Sequence, residues 1–100
     1  MVIVEGWVRM APDVLAEFEP AAMKMIAASR AEAGCIDYAY ARDLLDPAVL
    51  RIAEKWRDQA ALDVHFATPH MAEFLAVLGS VERQGGDVRV YDSEETRRMI

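Results

Sequence analysis

The stretch from Glu32 to Phe74 constrains the fold of this chain more than any other, because its hydrophobic period changes repeatedly within it. From Cys35 to Arg42 the side chains alternate, placing Ile36, Tyr38, Tyr40 and Arg42 opposite Cys35, Asp37, Ala39 and Ala41, as a strand requires. Leu45-Asp46-Pro47-Ala48 carries turn chemistry, since proline fixes its own φ and the aspartate can bond the backbone ahead of it. A second strand over Val49 to Arg57 then puts Leu50, Ile52, Glu54 and Trp56 on one face, which predicts a hairpin. Asp58 is placed to cap a short helix carrying Ala61, Leu62, Val64, His65 and Phe66. Thr68 with Pro69 behind it starts another helix through Met71, Phe74, Leu75, Val77 and Leu78.

The flanks complete the pattern. Residues 2 to 10 alternate, with Val2, Val4, Gly6 and Val8 on one face and Ile3, Glu5, Trp7 and Arg9 on the other. Val14, Leu15, Phe18, Ala22, Met25, Ile26 and Ser29 follow at helical spacing and predict a helix from Asp13 to Ala33. Pro20 removes a backbone donor inside it, so a kink or a helix in two pieces is expected. Gly34 is expected to be a left-handed stop. Gly79, Gly85 and Gly86 mark the exit from the last helix, Asp87 to Tyr91 reads as a final strand, and residues 92–100 form a charged tail.

The order is β-α-β-β-α-β with the second helical stretch broken. That is the split-βαβ arrangement, an α+β ferredoxin-like fold with a four-stranded antiparallel sheet and helices on one face. No linker-like stretch interrupts the chain, so residues 1–100 are expected to form one domain. The other sheet face also carries apolar side chains, and 54% of the residues are hydrophobic. Pairing two sheets face to face into a homodimeric barrel is the simplest way to cover them.

A formal charge of −6 disfavours nucleic acid and anionic membrane as partners, since both attract a basic patch. No apolar run approaches the ~20 residues a membrane span needs, and no signal-peptide pattern is present, so a cytoplasmic protein is expected. Cys35 is alone, which excludes an intrachain disulfide. Gly85-Gly86 is a turn rather than a phosphate loop, and no nucleotide-binding fingerprint occurs.

Glu54 is the sharpest anomaly, a carboxylate on the apolar face of its strand that must be paired, protonated or solvated. A structural ion pair with Arg9 or Arg42 competes with a role as a base or as a group orienting a histidine. His65 and His70 invite a metal, but on a regular helix their spacing turns one away from the other by about 140°; no metal is expected. His70 falls in the first turn after Thr68-Pro69, where the helix dipole favours an imidazole able to accept a proton. The bland alternative is that both histidines bond backbone carbonyls. Trp56 is either core or the wall of a cavity, Tyr38 and Tyr40 share one face, and Cys35 is given no chemistry.

Taken together, Glu32-x-Gly34-Cys35, Tyr38, Glu54-x-Trp56, His65 and His70 resemble the antibiotic biosynthesis monooxygenase family. Its members are small dimeric α+β barrels that include cofactor-independent quinol and polyketide oxygenases and some haem-degrading enzymes. The resemblance implies oxygenation of a small hydroxyaromatic such as a quinol by O₂, with no flavin, haem or metal as cofactor. It implies His65 or His70 as base, Glu54 orienting or tuning it, and an aromatic slot of Trp56 and Tyr38, with Ile52, Phe66 and Phe74 counted among the substrate-binding residues. The haem-degrading branch uses an asparagine in the first strand, where this chain reads Val4-Glu5-Gly6-Trp7. The alternative is a non-catalytic protein that holds a small aromatic metabolite in the same cavity.

Overall fold

The computed structural model describes every residue from Met1 to Ile100. The elements are β1 (Val2–Arg9), α1 (Pro12–Arg30), β2 (Cys35–Arg42), β3 (Val49–Trp56), α2 (Gln59–Phe66), α3 (Pro69–Ser80) and β4 (Gly85–Asp92). The strands form one antiparallel sheet in the order β2-β3-β1-β4. This is the ferredoxin-like arrangement expected, with the second helical stretch divided into α2 and α3.

Pro12 opens α1 where a missing N–H costs nothing, and Leu15, Phe18, Ala22, Met25 and Ser29 form its buried stripe. Pro20 does not break the helix. Both it and Ala16, whose carbonyl loses its partner, are exposed, which leaves the freed acceptor on the solvent side of the helix. The helix ends at Arg30 rather than Ala33, because the chain turns there through Glu32 N–H donating to Ser29 O at 3.0 Å and Cys35 N–H to Glu32 O at 3.1 Å.

Gly34 is not left-handed. Its missing side chain serves packing instead: a Cβ there would stand 2.3 Å from the Ala61 Cβ, so the first turn of α2 could not sit so close to the turn before β2. That close approach matters below, because the same turn carries Glu32.

Register sets the two sheet faces. Val2 pairs with Trp56, Val4 with Glu54 and Tyr38 with Glu54, which brings these side chains to the helix-covered side. Val2, Val4, Met25, Tyr38, Trp56, Ala61 and Leu62 make one core cluster. Met10, Leu15, Phe18, Ala22 and Leu50 make the second. The opposite face is uncovered in the single chain and mixes Ile3, Trp7 and Tyr91 with Glu5, Arg51 and Arg89. β4 is longer than Asp87–Tyr91 and is exposed along its whole length; the tail beyond it takes no helix or strand, and Ser93 N–H bonds Met1 O at 2.9 Å. No helix is long and apolar enough to cross a membrane.

Candidate active site

The site is built at the corner between α2 and α3. Asp58 caps α2 by accepting from Ala61 N–H at 2.9 Å. The Thr68 hydroxyl donates to His65 O at 2.7 Å and accepts from Met71 N–H at 3.2 Å, so one side chain closes α2 and caps α3. Pro69 begins α3 and His70 follows in its first turn. Because the histidines lie on two helices meeting at a corner, the 140° rotation of a continuous helix does not separate them.

The group that joins them is Glu32. His65 Nδ1 donates to Glu32 Oε2 at 2.6 Å, and His70 Nε2 donates to the same oxygen at 2.9 Å. A carboxylate oxygen only accepts, so each imidazole presents an N–H to it and keeps its other ring nitrogen for a proton. The His65 side chain is 1% exposed, Glu32 13% and His70 22%; the cluster runs from the core to the surface. Neither histidine side chain takes a backbone carbonyl as its partner here.

Glu54 is buried, yet the expected ion pair is absent: Arg9 binds Asp46 and Arg42 binds Glu19. Its partner is on its own strand, two residues on, where Trp56 Nε1 donates to Oε1 at 2.9 Å. Burial pushes the Glu54 carboxyl up to about 7, with the charge of Glu32 adding to the rise and the Trp56 hydrogen bond opposing it. Trp56 is wholly buried, its ring 4.5 Å from that of His65 and edge-on to Tyr38. The Tyr38 and Tyr40 hydroxyls bond one another at 2.6 Å, and burial raises both phenols above their ordinary range. Burial and the charge of Glu32 likewise push the Cys35 thiol up, away from nucleophilic reactivity.

The aromatic residues do not converge on one slot. Trp56, Tyr38 and His65 are sealed within the core. Phe66 lies 5.7 Å from His65 but is 51% exposed. Ile52 is half-buried beside Tyr40 in the sheet. Phe74 packs on Phe18 and Tyr40 and shares a cleft of about 30 Å³ with His70. An apolar cavity of about 220 Å³ lies elsewhere, between α1 and β2–β3, lined by Leu15, Phe18, Ala22, Ile26, Tyr40 and Leu50 among others.

Glu32 is the one member of the cluster that the sequence-based set of candidate site residues omits. It stands in a turn, outside any period, and its only signal is its place beside Gly34-Cys35.

Comparison with known proteins bears on the family and the fold. The chain is 32% identical to the uncharacterised protein sll1783 of Synechocystis, over 98% of this chain and 67% of that protein. It is 29% identical to YcnE of Bacillus subtilis, a presumptive monooxygenase, over 76% of this chain and 80% of that one. Its backbone superposes with a TM-score of 0.90 on the crystal structure of a presumptive antibiotic biosynthesis monooxygenase from Deinococcus radiodurans. That match is 24% identical and covers 100% of this chain and 99% of the other. The family model for antibiotic biosynthesis monooxygenases matches residues 1–77, which takes in every strand but the last together with Glu32, Glu54, Trp56, His65 and His70, and the chain belongs to that family.

Proposed function

We propose that this protein is a cofactor-independent monooxygenase that oxidises a small hydroxyaromatic or quinol with O₂. The observation that carries the reading is the Glu32 carboxylate bonded to both imidazoles within a family of monooxygenases. A carboxylate that fixes the tautomer of a histidine leaves the opposite ring nitrogen as a base and stabilises the imidazolium that forms. His65 or His70 takes the phenolic proton, and the resulting anion gives an electron to O₂. Recombination with superoxide and a proton forms a hydroperoxide on a ring carbon; loss of that carbon's proton with cleavage of the O–O bond leaves a quinone carbonyl and releases the other oxygen as water. The substrate supplies all the electrons, so no external reductant enters.

In this reading Glu54, its carboxyl raised to about 7 by burial, tunes the cluster through Trp56, which donates to it and packs on His65. Trp56 and Tyr38, which pack on His65, supply the apolar surroundings that keep water from the radical pair. We also propose a homodimer formed through the uncovered sheet face and β4, whose Val88, Val90 and Tyr91 are all more than 40% exposed in the single chain. Residues 1–100 act as one domain of that dimer.

A second reading, a non-catalytic binder of a small aromatic metabolite, is favoured by one observation: the 220 Å³ cavity is apolar and contains none of the proposed catalytic residues. Oxygen uptake against a panel of quinols and hydroxynaphthalenes tests the pair. Consumption of one O₂ per quinone formed, with one atom of ¹⁸O₂ in the product and no hydrogen peroxide released, supports the oxygenase. Thermal stabilisation by a panel member without oxygen consumption overturns it in favour of the binder.

A further inference from the structure

The corner between α2 and α3 has the donor set of a metal centre. Glu32, His65 and His70 offer one carboxylate oxygen and two imidazole nitrogens within 4.8 Å of one another. A second observation points the same way. Glu32 Oε1 is buried and has no hydrogen-bond partner, so the hydrogen bonds to Oε2 account for only half of the carboxylate. A cation held between Glu32 and the imidazoles would balance the charge of a carboxylate that the protein leaves half unpartnered.

We propose that Glu32, His65 and His70 bind one first-row divalent transition-metal ion of the Zn²⁺ type per chain. Two imidazoles and a glutamate are a set that zinc takes with one position left open, whereas Mg²⁺ and Ca²⁺ want oxygen donors. Metal–ligand distances of about 2.0–2.2 Å put tetrahedral donor atoms roughly 3.3 Å apart. The 2.6 and 2.9 Å contacts must therefore open by about half an ångström, with each ring proton moving to the opposite nitrogen. His70, the most exposed of the three, is the ligand free to move and marks the entry path. His65 is held in place by Trp56 and Tyr38, an apolar shell that strengthens charge–charge interaction at the site.

This inference does not rest on the oxygenase reading and in one respect opposes it. A bound cation takes the imidazole lone pairs that a base would use, so Zn²⁺ is expected to inhibit base-catalysed turnover.

Titration of the tag-free, chelator-stripped chain with Co²⁺ tests the site. The expected result is a visible d–d band that saturates at one equivalent, is displaced by Zn²⁺ and is unaffected by excess Mg²⁺. Glu32→Gln and His70→Ala should each abolish the band and weaken Zn²⁺ binding by more than the roughly 10–100-fold that loss of an outer-shell partner costs. His70→Ala removes a partly exposed ring, and circular dichroism verifies that it folds. A folded wild-type chain with no saturable band would overturn the proposal, as would a band that survives unchanged in both variants. Oxygen uptake is not read in this experiment, so its failure leaves the oxygenase reading where it stood.

Discussion

The two ends of the space between sheet and helices are opposites. At the α2–α3 corner, Glu32, His65, His70, Glu54 and Trp56 gather the ionisable chemistry into a region where Trp56 and His65 have almost no exposed surface. At the other end, α1 and β2–β3 line a half-open, mainly apolar cleft of about 220 Å³ that also includes Glu19 and Arg42. One end has functional groups and little room; the other has room and few functional groups. The hydroxyl pair of Tyr38 and Tyr40 joins them, since Tyr38 packs against Trp56 and His65 while Tyr40 lines the cavity. Strong polar pairing and ligand space are hard to combine in a small core, because a buried ionisable group needs all its partners close.

The largest expected effect breaks the histidine end alone. On any hydroxyaromatic that the wild-type chain oxidises, replacing the histidine that acts as base, by His70→Ala or His65→Ala, should lower turnover by roughly 10²–10⁴-fold, the worth of general-base catalysis. The partly exposed position of His70 means that its variant should melt closer to the wild type than the His65 variant, which empties a buried site beside Trp56. Wild-type oxygen uptake in both would show that the chemistry does not live at this end.

Next in size, Trp56→Ala should cost about 3–5 kcal/mol of stability by urea denaturation, the usual range for emptying a buried tryptophan. It also strips Glu54 of its hydrogen-bond donor. A loss under 1 kcal/mol would mean that the corner is far looser than its burial implies.

Glu54 sets a pH dependence whose sign follows from its raised carboxyl. The folded chain keeps the proton up to about pH 7, against an ordinary carboxyl value of 4.5 when unfolded. Between these values the native state binds more proton than the unfolded state. Stability should therefore fall as pH rises across that window, by up to about 1.4 kcal/mol per unit, and level off above it. Glu54→Gln should flatten this component, with the difference read from denaturation curves of both proteins at several pH values. Identical slopes would place the carboxylate in contact with water.

The smallest effect tests the link between the ends. Tyr40→Phe removes one hydroxyl of the 2.6 Å pair and should cost about 1 kcal/mol, the net worth of one hydrogen bond. It leaves the apolar lining of the cavity in place. If it nonetheless slows oxidation while leaving ligand binding intact, the tyrosines carry protons between cavity and corner.

The hairpin, the capping of α2 and α3 by Asp58 and Thr68, the ferredoxin-like order and most of the strand phase were legible in the chain. Each is set by the local period of apolar side chains and by capping chemistry within a few residues. The exception is the start of β2, where a bulge between Cys35 and Asp37 turns Cys35, rather than Ile36, toward the core that holds Tyr38. Placement of Glu54 on the buried face of β3 was legible for the same reason, and its bond to Trp56 lies within the two-residue repeat of a strand. Pro20 and Gly34 misled because their local preferences yielded to surroundings: solvent at Pro20 and the near contact with Ala61 at Gly34.

What local pattern could not disclose was the partner of the histidines. Glu32 stands in a turn without a period, 33 residues from His65 and 38 from His70. Their meeting depends on Gly34 admitting α2 against the start of β2 and on Thr68 turning α3 across the end of α2. Element type and facing follow from backbone sterics and side-chain period, which the sequence by itself determines. Which side chains share a proton or a ligand is decided only when the elements pack, because those contacts depend on distances of a few tenths of an ångström between segments that the chain keeps far apart.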